Sequence, residues 1–117
     1  MGTFVISKRF NGEYKFVFTS RKGKAIFSSL GYELKFECEE GIENFKLKME
    51  RCDYIKQKAS NGKYFFKLMF DGDLFATSRK YSTELRLQNG IDEITHSAAK
   101  GEILDFTQDD LIFESFP

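Results

Sequence analysis

An α+β fold made of two tandem β3-α units is predicted by three observations. The chain says nearly the same thing twice, its residues alternate with period two ahead of an apolar helical stripe in each copy, and its length suits one shared core. The repeat is plainest in "NGEYKFVFTS" (11–20) against "NGKYFFKLMF" (61–70). At an offset of fifty, Lys8 matches Lys58, Asn11-Gly12 matches Asn61-Gly62, Tyr14 matches Tyr64 and Phe16 matches Phe66. One residue is lost in the next turn. At an offset of forty-nine, Gly23 then matches Gly72, Ser29 matches Ser78, Tyr32 matches Tyr81 and Gly41-Ile42 matches Gly90-Ile91. Identities that keep their order along the chain mark a duplication.

Each copy opens on a short strand-like segment, "FVISKR" (4–9) or "YIKQKA" (54–59). Asn-Gly follows, the dipeptide that suits a type I′ hairpin because both residues tolerate positive φ. The next segment alternates: Tyr14, Phe16 and Phe18 share one face with Lys15 and Thr19 opposite, and Tyr64, Phe66, Leu68 and Phe70 repeat that parity with Lys67 opposite. A second turn, "SRKGK" or "DGD", leads to a third strand, "AIFSSL" (25–30) or "LFATSR" (74–79). The period then changes. Leu34, Cys38, Gly41, Ile42 and Phe45 form one helical stripe, matched by Thr83, Leu87, Gly90, Ile91 and Ile94, with Ser82 as the expected cap of the second helix. Glycine inside a helix costs about 1 kcal/mol against alanine, so its presence in both copies predicts a close approach of the helix backbone to the sheet or to the twin helix. "EILDF" (102–106) reads as a closing strand. The units are therefore 1–51, then 52–107 with the closing strand, integrated into one domain, and an acidic, apolar tail at 108–117. The tail's Leu111, Ile112, Phe113 and Phe116 are expected to dock on the protein's own sheet or sheet edge, or otherwise on a partner chain.

Hydrophobic residues are 41% of the chain and fourteen are Phe, enough for one packed interior. The formal net charge is zero, yet residues 1–91 carry seventeen basic against eleven acidic side chains and residues 92–117 carry seven acidic against Lys100. Two cysteines give no disulfide framework or metal spacing. "MGTFVISKRF" has no secretory pattern, and no run approaches the ~18 apolar residues of a membrane span. These features predict a soluble cytoplasmic protein that makes no use of a membrane.

The chemistry of catalysis is sparse. His96 is the one histidine, it has no counterpart in the first half, and its position near a helix C-terminus suits the dipole rather than a general base. "DGD" (71–73) is too short for a calcium loop and reads as a tight turn. Cys38 falls on the apolar stripe, which leaves Cys52 as the more reactive thiol. "NGEY" and "NGKY" join strands and hold one glycine each, unlike a phosphate-cradling loop. No catalytic residue, metal or cofactor is expected.

Two polar sets remain. Ser29 and Tyr32, with Ser78, Arg79, Lys80 and Tyr81, precede the two helices, where free N–H groups and the dipole favour anions; they are the candidate ligand contacts. Lys8, Arg9, Lys15, Arg21, Lys22 and Lys24 surround the first hairpin near Phe10, Tyr14 and Phe27, a mixture that could follow a nucleic-acid backbone and stack bases. The second copy puts Asp71 and Asp73 where the first has Lys22 and Lys24, which counts against a shared nucleic-acid role.

"FVISKRFNGEYKFVF", the Ser-x-x-Tyr after each third strand, and "EEGIENF" or "QNGIDEI" in the helices resemble the YegP-like family of small, mostly bacterial proteins, over about residues 3–107. The resemblance implies tandem β3-α units in one continuous antiparallel-type sheet with two helices packed on it, a pseudo-two-fold unit. Single-unit members form homodimers, so the tandem chain is expected to be a monomeric pseudo-dimer. "QDDLIFESFP" (108–117) departs from the family pattern, and the family supplies no activity. The functional expectation is a small non-enzymatic module that binds a protein partner or small ligand. Nucleic acid at the first hairpin is the alternative.

Overall fold

A computed structural model describes residues 2–107, and the tail with its four apolar residues lies outside them. The strands are β1 (Thr3–Lys8), β2 (Tyr14–Thr19), β3 (Ala25–Ser29), β4 (Cys52–Lys58), β5 (Tyr64–Phe70), β6 (Asp73–Ser78) and β7 (Glu102–Asp105); helix α1 (Lys35–Leu47) follows β3 and helix α2 (Glu84–Ser97) follows β6. The fold is α+β. One sheet runs in the order β4-β5-β6-β3-β2-β1-β7. Its centre is the antiparallel β3–β6 pair, with Phe27 opposite Ser78 and Ser29 opposite Ala76.

The closing strand is the one parallel neighbour in an otherwise antiparallel sheet of the described residues. β7 lies parallel to β1, from Thr3 opposite Glu102 to Ile6 opposite Asp105, because it returns from a helix and not through a hairpin. Lys35, at the start of α1, pairs with Asp105 and ties β7 to the helix layer. Asp105 titrates below its ordinary value: burial raises it, but the Lys35 and Thr107 hydrogen bonds together outweigh that penalty.

Turn chemistry departs from expectation. Gly12 and Gly62 sit at φ +88° and +85°, whereas Asn11 and Asn61 keep negative φ. The Gly12 N–H reaches the Arg9 carbonyl at 3.0 Å and the Arg9 N–H reaches Glu13 at 2.7 Å, which is a three-residue loop closing on a left-handed glycine and not a type I′ turn. Asn11 serves through its side chain, accepting the Glu13 N–H at 3.0 Å. The two-residue turn with both φ positive is Asp71-Gly72, at +51° and +87°. Its counterpart at Ser20–Lys24 is the longer, one-glycine form, so the residue lost between the copies is a loop residue.

Helix starts bring two corrections. Thr83, not Ser82, caps α2, its hydroxyl accepting the Arg86 N–H at 3.1 Å. Leu34 is half exposed and outside α1, where its N–H donates to the Glu37 carboxylate at 3.1 Å. Cys38, Ile42 and Phe45 carry the buried stripe of α1, and Leu87, Ile91 and Ile94 that of α2. They pack on Phe4, Ile6, Phe16, Phe18, Phe27, Phe66 and Leu68 from the sheet. Phe75 of β6 reaches across the middle, with its ring 5.5 Å from Phe16 and 5.3 Å from Phe45. The core thus mixes both halves. Among the described residues no helix is long and apolar enough to cross a membrane.

The helix glycines pack against neither the sheet backbone nor the twin helix. A Cβ at Gly41 would come 2.7 Å from the Tyr32 hydroxyl, and one at Gly90 would overlap that of Tyr81. Each repeated tyrosine lies under its helix at the repeated glycine.

Candidate functional site: a basic groove beside α2

Ser29 and Ser78 face inward, each 8% exposed. The Ser29 hydroxyl accepts the Phe16 N–H at 2.9 Å and donates to the Leu30 carbonyl at 2.8 Å. Ser78 does the same with Phe66 at 2.8 Å and Arg79 at 2.7 Å. Each bridges the ladder between the regular strand pair and the isolated Tyr14–Tyr32 or Tyr64–Tyr81 pair beyond it. Neither hydroxyl proton is free for a ligand.

Tyr32 and Tyr81 are half-buried. Burial pushes the Tyr32 phenol up to about 12, with Cys38 and Glu37 adding to the effect. Burial also raises Tyr81, partly offset by Arg79, whose guanidinium lies over the ring 5.5 Å from its centre. Both phenols stay neutral and serve as packing.

Arg79 and Lys80 do open onto a site. With Tyr81 they line a groove of about 680 Å³, walled by Arg86, Asn89, Gly90, Glu93 and Ser97 of the α2 segment. The β2–β3 turn forms the opposite wall with Arg21, Lys22 and Lys24, and Lys63 comes from the β4–β5 turn. The sheet centre brings these walls together: antiparallel β3 and β6 place the start of β3 at the end of β6, where the Arg79 N–H donates to the Ile26 carbonyl at 3.0 Å. Seven cationic side chains therefore share one groove with the single carboxylate of Glu93. Ion pairs among the described residues involve Arg9, Lys35, Lys46 and Arg51, and none of the groove's seven. Glu93 takes the Arg21 backbone N–H at 3.3 Å.

The nucleic-acid set is divided between two places. Arg21, Lys22 and Lys24 stand in the groove, while Lys8, Arg9 and Lys15 line a separate hollow of about 930 Å³ at the β1–β2 hairpin with Phe10, Asn11 and Gly12. The two lie at opposite ends of β2, about 20 Å apart at a strand rise of about 3.4 Å per residue. Lys63 and Arg86 are the groove cations that reading the sequence missed, because each stands alone among unremarkable neighbours.

Other reactive groups lie apart from the groove. His96 is exposed, its Nδ1 2.7 Å from the Asp92 carbonyl within its own helix. Cys38 is buried. Cys52 is the more accessible of the two thiols, but half-burial first, then Asp53, Asp71 and Glu50, push it up to about 12, as burial first pushes Cys38, so little thiolate forms at either near neutrality. No cluster of metal-ligating side chains occurs among the described residues.

A seven-stranded, mostly antiparallel sheet with two helices defines an α+β class of protein, and comparison with solved structures agrees on that fold. Residues 59–105 match a family model described as a domain of unknown function, DUF1508. A UPF0339 protein of Shewanella oneidensis is 30% identical over 108 residues, covering 91% of this chain and 98% of its own. The UPF0339 protein YegP of Escherichia coli K12 is 28% identical with the same coverage. The solution NMR structure of E. coli YegP superimposes with a TM-score of 0.77 at 29% identity, covering 91% of this chain and 93% of that one. A Shewanella oneidensis UPF0339 structure gives 0.78 at 28% identity, covering 92% and 93%. The chain belongs to the UPF0339, or YegP-like, family.

Proposed function

We propose that this chain is a binding module without catalytic chemistry that seats an acidic segment of a protein partner in the groove beside α2. The observation that carries the reading is the set of seven cations around one groove, none of them in an ion pair among the described residues. Like charges held together repel one another, and a concave wall of one sign focuses its field and draws in the opposite charge. A polypeptide fits better than a stacked nucleic acid. The groove's aromatic residue, Tyr81, has its hydroxyl against α2 and Arg79 over its ring, so no open aromatic face serves as a base platform. Fluorescence anisotropy with labelled poly-glutamate tests this. Binding should fall with added salt, and Lys22→Glu with Lys24→Glu should weaken it about tenfold or more, at about 0.7 kcal/mol for each exposed charge. Binding unaffected by that double change, or absent at low salt, overturns the reading.

One observation favours single-stranded nucleic acid instead. Phe10 at the β1–β2 turn is 113% exposed, beside the Lys8, Arg9 and Lys15 hollow, as a base-stacking residue would be. Oligonucleotide binding that is lost in Phe10→Ala and kept in Lys22→Glu/Lys24→Glu would promote this second reading.

A further inference from the structure

The local contacts around the basic groove recur at the other end of the β3–β6 pair. Leu30 N–H donates to the Phe75 carbonyl at 3.4 Å as Arg79 N–H does to Ile26 at 3.0 Å, and Tyr32 pairs with Tyr14 as Tyr81 does with Tyr64. Tyr32 lies at Gly41 as Tyr81 lies at Gly90. The backbone thus offers two equivalent positions. Their charges are opposite.

Where the groove has Lys22 and Lys24, the counterpart turn has Asp71 and Asp73. Lys63, one residue before Tyr64, is answered by Glu13 before Tyr14. Arg86 in the first turn of α2 is answered by Glu37 in the first turn of α1, and Asn89 by Glu40. Leu30 and Gly31 stand for Arg79 and Lys80; the cations beside these carboxylates are Arg9, 4.0 Å from Glu13, and Arg51, 3.4 Å from Asp71, and they leave Asp73, Glu37 and Glu40 without an ion pair among the described residues. Glu13 points at the place: a Cβ on Gly31 would come 2.5 Å from its Oε1. Six groove cations, Lys22, Lys24, Lys63, Arg79, Lys80 and Arg86, have a counterpart at a fixed offset, and every one of the six is lost or reversed there, while Glu93 is answered by Asn44 and Ser97 by Lys48.

We infer that the counterpart of the basic groove is closed to anions by its carboxylates, so that each chain takes one acidic segment, always on the α2 side. This rests on the groove reading above. Specificity needs repulsion at the wrong site as well as attraction at the right one, and two equivalent backbone frames in one chain would otherwise bind two ligands. Glu13, Glu37 and Asp73 are the residues that determine the choice.

Titration calorimetry with poly-glutamate at low ionic strength tests it, using the full chain. The native protein should take one peptide per chain. The triple variant Glu13→Lys, Glu37→Arg, Asp73→Lys carries the groove's own residues at the counterpart and should take two. Should that variant fail to fold, Glu13→Gln, Glu37→Gln, Asp73→Asn keeps a hydrogen-bonding side chain in the first turn of α1 to accept the Leu34 N–H and should show a second, weaker site. A folded variant of either kind that still takes one peptide overturns the inference and leaves the groove reading standing. Two equal sites in the native chain would overturn it as well. No binding by the native chain removes both.

Discussion

The hydroxyl of Tyr32 lies over Gly41, where a Cβ would come within 2.7 Å of the oxygen and 3.2 Å of the ring carbon that bears it. Tyr81 stands over Gly90 in the same way, its ring carbon 2.9 Å from such a Cβ. Gly90→Ala should therefore destabilise the protein by about 1–3 kcal/mol through overpacking, although alanine gains about 1 kcal/mol in helix propensity. Adding Tyr81→Phe should recover part of the loss. Urea unfolding of the single and double variants checks the coupling, and a neutral Gly90→Ala would remove the packing argument.

Ser78→Ala should cost about 1–3 kcal/mol, because the buried Phe66 N–H loses its acceptor. Ser82 is exposed and does not cap α2, so Ser82→Ala should stay within about 0.5 kcal/mol. Equal effects in thermal denaturation would show that the ladder closes without the hydroxyl.

The Lys35–Asp105 pair should make acid and alkali destabilising in a defined way. Asp105 is held below its ordinary 3.8, so its contribution is present above that value and is lost as pH falls through the lowered one. Lys35 is held above its ordinary 10.5, chiefly by the bond to Asp105, so its contribution is present below that value and is lost as pH rises through the raised one. Both side chains are about a quarter exposed, which limits the pair to about 0.5–1 kcal/mol. Asp105→Asn should lower stability by that amount at pH 7 and by less at pH 2. A constant difference across that range would assign the loss to the Thr107 bonds instead.

Residues 1–51 expressed alone should be unfolded or self-associated. They lack β6, which pairs with β3 and supplies the Phe75 ring against Phe16 and Phe45. The full chain should unfold in a single transition as a monomer. Two calorimetric transitions, each reproduced by an isolated half, would show that the halves are independent.

The amino-acid sequence by itself determined the local alternatives. Period two in Tyr14, Phe16 and Phe18 and the helical spacing of Cys38, Ile42 and Phe45 follow from covalent geometry, and the same spacings in the second copy made the α+β class legible. Local competition was harder to read. Asn11-Gly12 and Asp71-Gly72 both suit positive φ, and the loop closures observed, not the dipeptides, chose between turn forms. Ser82 and Thr83 both offer a capping hydroxyl, and one residue of helix phase chose Thr83.

Only the tertiary structure decided the site. Lys22 and Arg86 are far apart in the chain and belong to different repeats, and they share a groove because antiparallel pairing of β3 with β6 turns the second helix toward the first half's turn. Lys15 and Lys22 are near neighbours in the chain, yet the strand between them holds them at opposite ends of the sheet. Alternation and helical period are properties of a few consecutive residues. A charged groove is a sum over residues that only long-range pairing brings together, and that pairing is stabilised by a core the two halves share.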